Sequence, residues 1–152
     1  MNTSSDSSRR RVSPAGLALI REFELFSAKV YICPAGKPTI GYGHVLRPSD
    51  SFTEITQEQG EAMLQTDIAP VEIYLRAVLP GLTQNQFDAL ASLCFNIGLG
   101  NFERSTLLTR LKAGDLRGAA LQFRRWIHAN GKKLPGLVRR RAAEEALFMR
   151  GS

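Results

Sequence analysis

Residues 23–44 read FELFSAKVYICPAGKPTIGYGH. Val30, Tyr31 and Ile32, then Thr39, Ile40 and Tyr42, are strand formers. Pro34, Gly36, Pro38, Gly41 and Gly43 punctuate them. The stretch from Val30 to about Val45 therefore reads as a small, tightly turned sheet. The residues before it follow a helical period. Ser13 supplies an N-cap and Pro14 a first helical position. Leu17, Leu19, Ile20, Phe23 and Phe26 then carry a helix over roughly 14–26.

Downstream of the sheet the pattern is helical throughout. Thr56 with Gln59 is a capping-box signature that opens a segment to about Leu79, with Pro70 as a kink or restart. Thr83 with Gln86 is a second, ahead of FDALASLCFNIG, which ends at Gly98. Further helices are expected near 105–113, 115–127 and 136–149. One helix, a small sheet, then many helices is an α+β arrangement. The expected architecture is a small N-terminal β-sheet lobe and a larger helical lobe with a cleft between them. Residues 1–12 are polar and basic and read as a disordered tail, leaving 13–152 as a single two-lobed domain.

The 152 residues are 43% apolar and 22% charged, the balance of a globular chain with a real core. No apolar run is long enough to span a bilayer, and the N-terminus lacks the apolar segment of a secretory signal. Twenty Lys plus Arg stand against 14 Asp plus Glu, a net charge of +6. That balance favours polyanionic partners, whether nucleic acid, anionic lipid or bacterial cell wall. No zinc spacing or RNA-binding signature accompanies it, so a nucleic-acid module is disfavoured. Cys33 and Cys94 form neither a CxxC pair nor a metal spacing with the two histidines. No cofactor fingerprint appears, and none is expected.

Chemistry concentrates on the first helix. At about 100° per residue with Leu17 at zero, Ile20 falls near 300° and Glu24 near 340°. Glu24 thus lies on the apolar stripe, whereas Glu22, near about 140°, faces the polar side. A carboxyl on an apolar face loses hydration of its charged form, which suits a general acid. A structural ion pair would occupy the same position.

The spacing Glu24, Cys33, Thr39, set among CPAG and the TIGYGH segment of Thr39–His44, resembles the phage-type lysozyme family, the endolysins related to lysozymes of lytic bacteriophages. Gln86, Asp88-Ala89-Leu90 and Asn96-x-Gly98 continue the resemblance, as do STLLTRLKAGD from Ser105, Phe123, Trp126 and KLPGLVRRR from Lys133. It covers roughly residues 14–150. Family members carry an Asp or Cys nine residues after the catalytic Glu and a Thr six later. Many also have a Gly directly after the Glu and an Arg close behind; here Leu25, Phe26 and Ser27 stand there.

The resemblance implies a muramidase acting on the N-acetylmuramic acid–N-acetylglucosamine β-1,4 bond of peptidoglycan, for host cell lysis. Glu24 would be the general acid, with Cys33 and Thr39 on the water side. As thiolate, Cys33 could act as base, charge stabiliser or nucleophile; from the residues alone a small buried hydrophobe is also open. Asn96 is a candidate sugar contact or helix cap. His44 reads as a hydrogen-bonded residue pinning the sheet rather than as a base. Arg140 and Arg141 are candidates for supporting Glu24, and on their own helix they pair at i+4 with Glu144 and Glu145. Cys94 reads as core, and so does Trp126 by its spacing from Phe123, although an aromatic surface could also stack on sugar. The expected partner is peptidoglycan, the chain a monomer without a membrane anchor. It is expected to wait in the host cytoplasm until a membrane pore releases it to the wall. A wall-binding protein without catalysis and a lytic transglycosylase are the alternatives.

Overall fold

The computed structural model describes residues 7–150. Helix α1 (Pro14–Glu24) leads into a three-stranded antiparallel sheet of β1 (Ser27–Ile32), β2 (Pro38–Gly41) and β3 (His44–Val45). Helices α2 (Gln57–Val78), α3 (Gln84–Ile97), α4 (Leu99–Glu103), α5 (Thr106–Lys112) and α6 (Leu116–Gln122) follow. A hairpin of β4 (His128–Ala129) and β5 (Lys132–Lys133) precedes α7 (Pro135–Met149). The α+β order expected from the sequence is the order found. The chain forms two compact units, Ile20–Pro70 and a larger one of Met1–Leu19 with Val71–Ser152.

In the smaller unit the short strands are held by their turns and by α2. Thr39 pairs with Tyr31 on one side and Val45 on the other, and Ile40 pairs with His44. Ile40 and Tyr42 are buried, and the Tyr42 ring lies 5.3 Å from that of Phe26. A Cβ on Gly60 would meet Phe26 Cε1 at 2.7 Å, so any larger residue at this first-turn position of α2 would force the Phe26 ring to shift. Helix α2 opens on the expected capping box: the Gln59 side chain accepts from the Thr56 N–H at 2.8 Å, and the Gln59 N–H donates to Thr56 Oγ1 at 3.1 Å. Pro70 does not restart the helix. It sits inside a continuous α2, and the boundary between the two units falls directly after it.

In the larger unit α3 is buried all round from Gln86 to Cys94, which makes it the core helix. Its capping box at Thr83 and Gln86 and its stop at Gly98 are as read from the sequence. Against it packs α7, with a buried ionic cluster between them. Ser92 Oγ donates to Glu144 Oε2 at 2.5 Å, and Glu144 is bridged by Arg140 at 3.3 Å and Arg141 at 2.7 Å. Burial pushes the Glu144 carboxyl up; the Arg141 and Arg140 guanidiniums and the Ser92 hydroxyl pull against it. The expected Arg140–Glu144 pair is present. Arg141 turns to Glu144 instead of Glu145, because Glu144 occupies the inward face; Glu145 pairs with Arg124 at 2.8 Å.

Two further expectations are corrected. Residues 1–6 of the expected disordered tail lie outside the described residues, but 7–12 are held. Val12 is buried, its N–H donates to Glu72 at 2.7 Å, and Arg10 donates to Gln84 at 2.8 Å. The helix expected over 115–127 ends at Gln122 and tightens into a 3-10 turn over Phe123–Arg125, where Trp126 leaves helical geometry. Helix α4 and the β4–β5 hairpin had no counterpart in the sequence reading.

Candidate functional site

Glu24 is the last residue of α1. It is half-buried while Glu22 is exposed, as the helical wheel requires. The helix stops because Leu25 takes a left-handed conformation, φ 56°, with its N–H donating to the Arg21 carbonyl at 3.1 Å. A side chain there costs roughly 1–2 kcal/mol relative to a residue at ease in that region. The chain bends directly after Glu24, and Leu25 accepts the strain.

Cys33 follows the end of β1, in the turn to β2. Its N–H donates to the Lys37 carbonyl at 2.9 Å, and the Gly36 N–H donates back to the Cys33 carbonyl at 2.8 Å. Gly36 has φ 81°, which this closure needs. Hydrogen bonding from the Lys37 N–H first and the Thr39 hydroxyl second holds the thiol below its ordinary value of 9.0; burial pulls against them, and the Ala35 and Cys33 N–H groups add to the lowering. Thr39 is buried, and its hydroxyl also reaches the Lys37 carbonyl at 2.9 Å. One hydroxyl proton serves one acceptor at a time, so Thr39 chooses between carbonyl and sulfur.

Tyr31 links this pair to the acid. Partial burial raises its phenol pKa first, and the charges of Glu24 and Cys33 raise it further. Glu24, Cys33 and Thr39 therefore share one neighbourhood of the smaller unit with Tyr31. Alternation was the available signal: Tyr31 is two residues before Cys33 and opposite Thr39.

His44 is buried between two carboxylates, Asp67 at 2.7 Å from Nδ1 and Asp50 at 3.1 Å from Nε2. Burial acts to lower its pKa; the hydrogen bonds to Asp67 and Asp50 outweigh this, and the net shift is upward. Asp50, held by the Arg47 N–H and by His44, falls to about 2. Both ring nitrogens are committed, and His44 ties β3 to α2.

The remaining candidates belong to the larger unit. Asn96 is exposed near the end of α3, and the N–H that closes this helix is that of Gly98, donating to Cys94. Arg140 and Arg141 are buried around Glu144. Cys94 is buried core, whereas Trp126, expected in the core, is half-buried and lines a cavity of about 350 Å³ with Asn101, Arg104, Gln122 and Arg125. Among the described residues no group of His, Cys, Asp or Glu is placed to hold a metal ion, and no helix is long and apolar enough to cross a membrane.

Comparison with known proteins bears on this arrangement. The profile of the Phage lysozyme family matches residues 21–144. The chain belongs to the phage lysozyme family. An endolysin of Acyrthosiphon pisum secondary endosymbiont phage 1 is 49% identical over 142 residues, 90% of this chain and 97% of that protein. An endolysin of Bacillus phage PZA is 44% identical over 145 residues; the match covers 93% of this chain and 56% of that protein's own length. The muramidase domain of SpmX from Asticaccaulis excentricus superimposes with a TM-score of 0.84 at 38% identity, over 93% of this chain and 99% of that one. This phage lysozyme is thus an enzyme of the lysozyme class with the lysozyme-like α+β fold.

Proposed function

We propose that this lysozyme hydrolyses the β-1,4 bond between N-acetylmuramic acid and N-acetylglucosamine in peptidoglycan, with Glu24 as general acid. The observation that carries the reading is that Thr39 stands opposite Tyr31 in the hairpin with Cys33 next in the same row, and that Glu24 and Cys33 both act electrostatically on Tyr31. Glycoside hydrolysis needs a proton for the leaving oxygen and a base or nucleophile on the other face of the sugar. Glu24 gives its proton to the glycosidic oxygen as the C–O bond breaks. A water held by Thr39 attacks the anomeric carbon with inversion, and the Cys33 thiolate takes its proton. The turnover ends with Glu24 ionised and Cys33 protonated, and proton exchange with solvent restores both. Asn96 is assigned a sugar contact, and His44 the task of keeping β3 in place beside Thr39.

The test is mass spectrometry of products from purified peptidoglycan, wild type against Glu24→Gln. Reducing muramic-acid ends from wild type, lost with Glu24→Gln, are the expected result. Anhydro ends would make the chain a lytic transglycosylase. No cleavage by wild type on several wall types would leave a wall-binding protein.

A further inference from the structure

Strand alternation gives Tyr31 a place that hydrolysis as described leaves without a task. Tyr31 and Thr39 are direct cross-strand partners, so their side chains stand together on one face of the hairpin. Cys33, two residues on, extends the same row, because its N–H still pairs with Lys37 across the turn. The Tyr31 side chain is 38% exposed, against 2% for Thr39. Among the described residues nothing hydrogen-bonds its hydroxyl, although Glu24 and Cys33 are both near enough to act on it electrostatically. A phenol beside two reactive groups and bonded to neither has its donor available to a ligand. Its ring supplies an apolar face of the kind sugars pack on.

We propose that the Tyr31 hydroxyl is a glycan contact, donating to a hydroxyl or acetamido carbonyl of the sugar bound between Glu24 and Cys33. The inference rests on the muramidase reading. It makes Tyr31 a binding and orienting group for the sugar at the cleavage point, where its hydrogen bond helps fix the scissile oxygen relative to the acid.

The experiment compares wild type with Tyr31→Phe, which keeps the ring and removes the donor. Release of reducing ends from purified peptidoglycan gives kcat and KM across pH. Isothermal titration with the N-acetylglucosamine trimer gives Kd. Thermal unfolding checks that the two chains are equally folded. Loss of one neutral hydrogen bond predicts kcat/KM lowered about fivefold to tenfold and a weaker Kd, at an unchanged unfolding midpoint. Kinetics and Kd within twofold of wild type would overturn the inference. So would a shifted pH profile with unchanged Kd, because Tyr31 would then act only on the charges of its neighbours. If wild type itself releases no reducing ends, the muramidase reading falls and this inference with it, an outcome distinct from an active Tyr31→Phe enzyme.

Discussion

Cys33 carries a group that is ordinarily protonated at neutral pH, in a turn whose hydrogen-bond donors, the Lys37 N–H foremost, favour its anion. Donors stabilise thiolate more than thiol, so the anion forms at lower pH than its ordinary 9.0. The rate of Cys33 alkylation by iodoacetamide, followed against pH by mass spectrometry, should therefore reach half its plateau below 9.0. Cys94 is buried and does not compete in the folded chain. Thr39→Val removes a donor and should move that midpoint up. Cys33→Asp should keep activity and shift the acidic limb of the pH–rate profile down, toward the carboxylate range. An alkylation midpoint at or above 9.0 would mean that the turn does not tune the sulfur. Leu25 is the other residue whose conformation matters at this scale, since the strained position it fills is what ends α1 directly after Glu24.

The elements around this site are fixed by side-chain clamps as much as by strand pairing, because β2 and β3 are too short to persist alone. His44 is the main clamp, and its pH dependence has a definite sign. Its folded pKa lies above its ordinary 6.5, so the protonated form is favoured by folding. That contribution is complete below 6.5 and is lost as pH rises through the higher folded value. Asp50 is shifted the other way: its contribution is present above 3.8 and is lost as pH falls through about 2. His44→Gln should thus cost about 2 kcal/mol near pH 5–6, about 5 °C in Tm, with the gap narrowing at alkaline pH. Thermal scans of both chains across pH check this; a gap that widens with pH would reverse the assignment. Legibility followed the same physics. Thr56–Gln59 and Thr83–Gln86 announced α2 and α3 because capping is local chemistry. The β4–β5 hairpin had its own local signal, Asn130-Gly131, both at positive φ, but no apolar alternation flanks it. Residues 7–12 were misread because what holds them, Glu72 and Gln84, is far away in sequence. Tyr31 and the partners of His44 are likewise tertiary facts, whereas the spacing of Glu24, Cys33 and Thr39 could be read directly.

At the scale of the whole chain the net charge of +6 is unevenly divided. The unit Ile20–Pro70, which holds Glu24 and Cys33, carries four Lys or Arg against seven Asp or Glu, a net of −3. The other unit carries sixteen against seven, a net of +9. Attraction to a polyanionic wall would therefore come from the larger unit, while the residues proposed for the chemistry sit in a unit whose own charge opposes approach. Exposed charges act over roughly a Debye length, about 10 Å at 0.1 M salt and about 30 Å at 0.01 M. Initial wall-lysis rates under dilute substrate should accordingly fall as salt rises. Replacing the exposed Lys132 and Lys133 with Gln should lower the rate at low salt and flatten that dependence, while leaving kcat at saturating substrate unchanged. Turbidity loss of cell-wall suspensions between about 0.01 and 0.2 M salt reads both effects. A salt dependence identical in the double variant would show that these lysines do not steer the encounter. A drop in kcat instead would show that they contribute to the turnover itself.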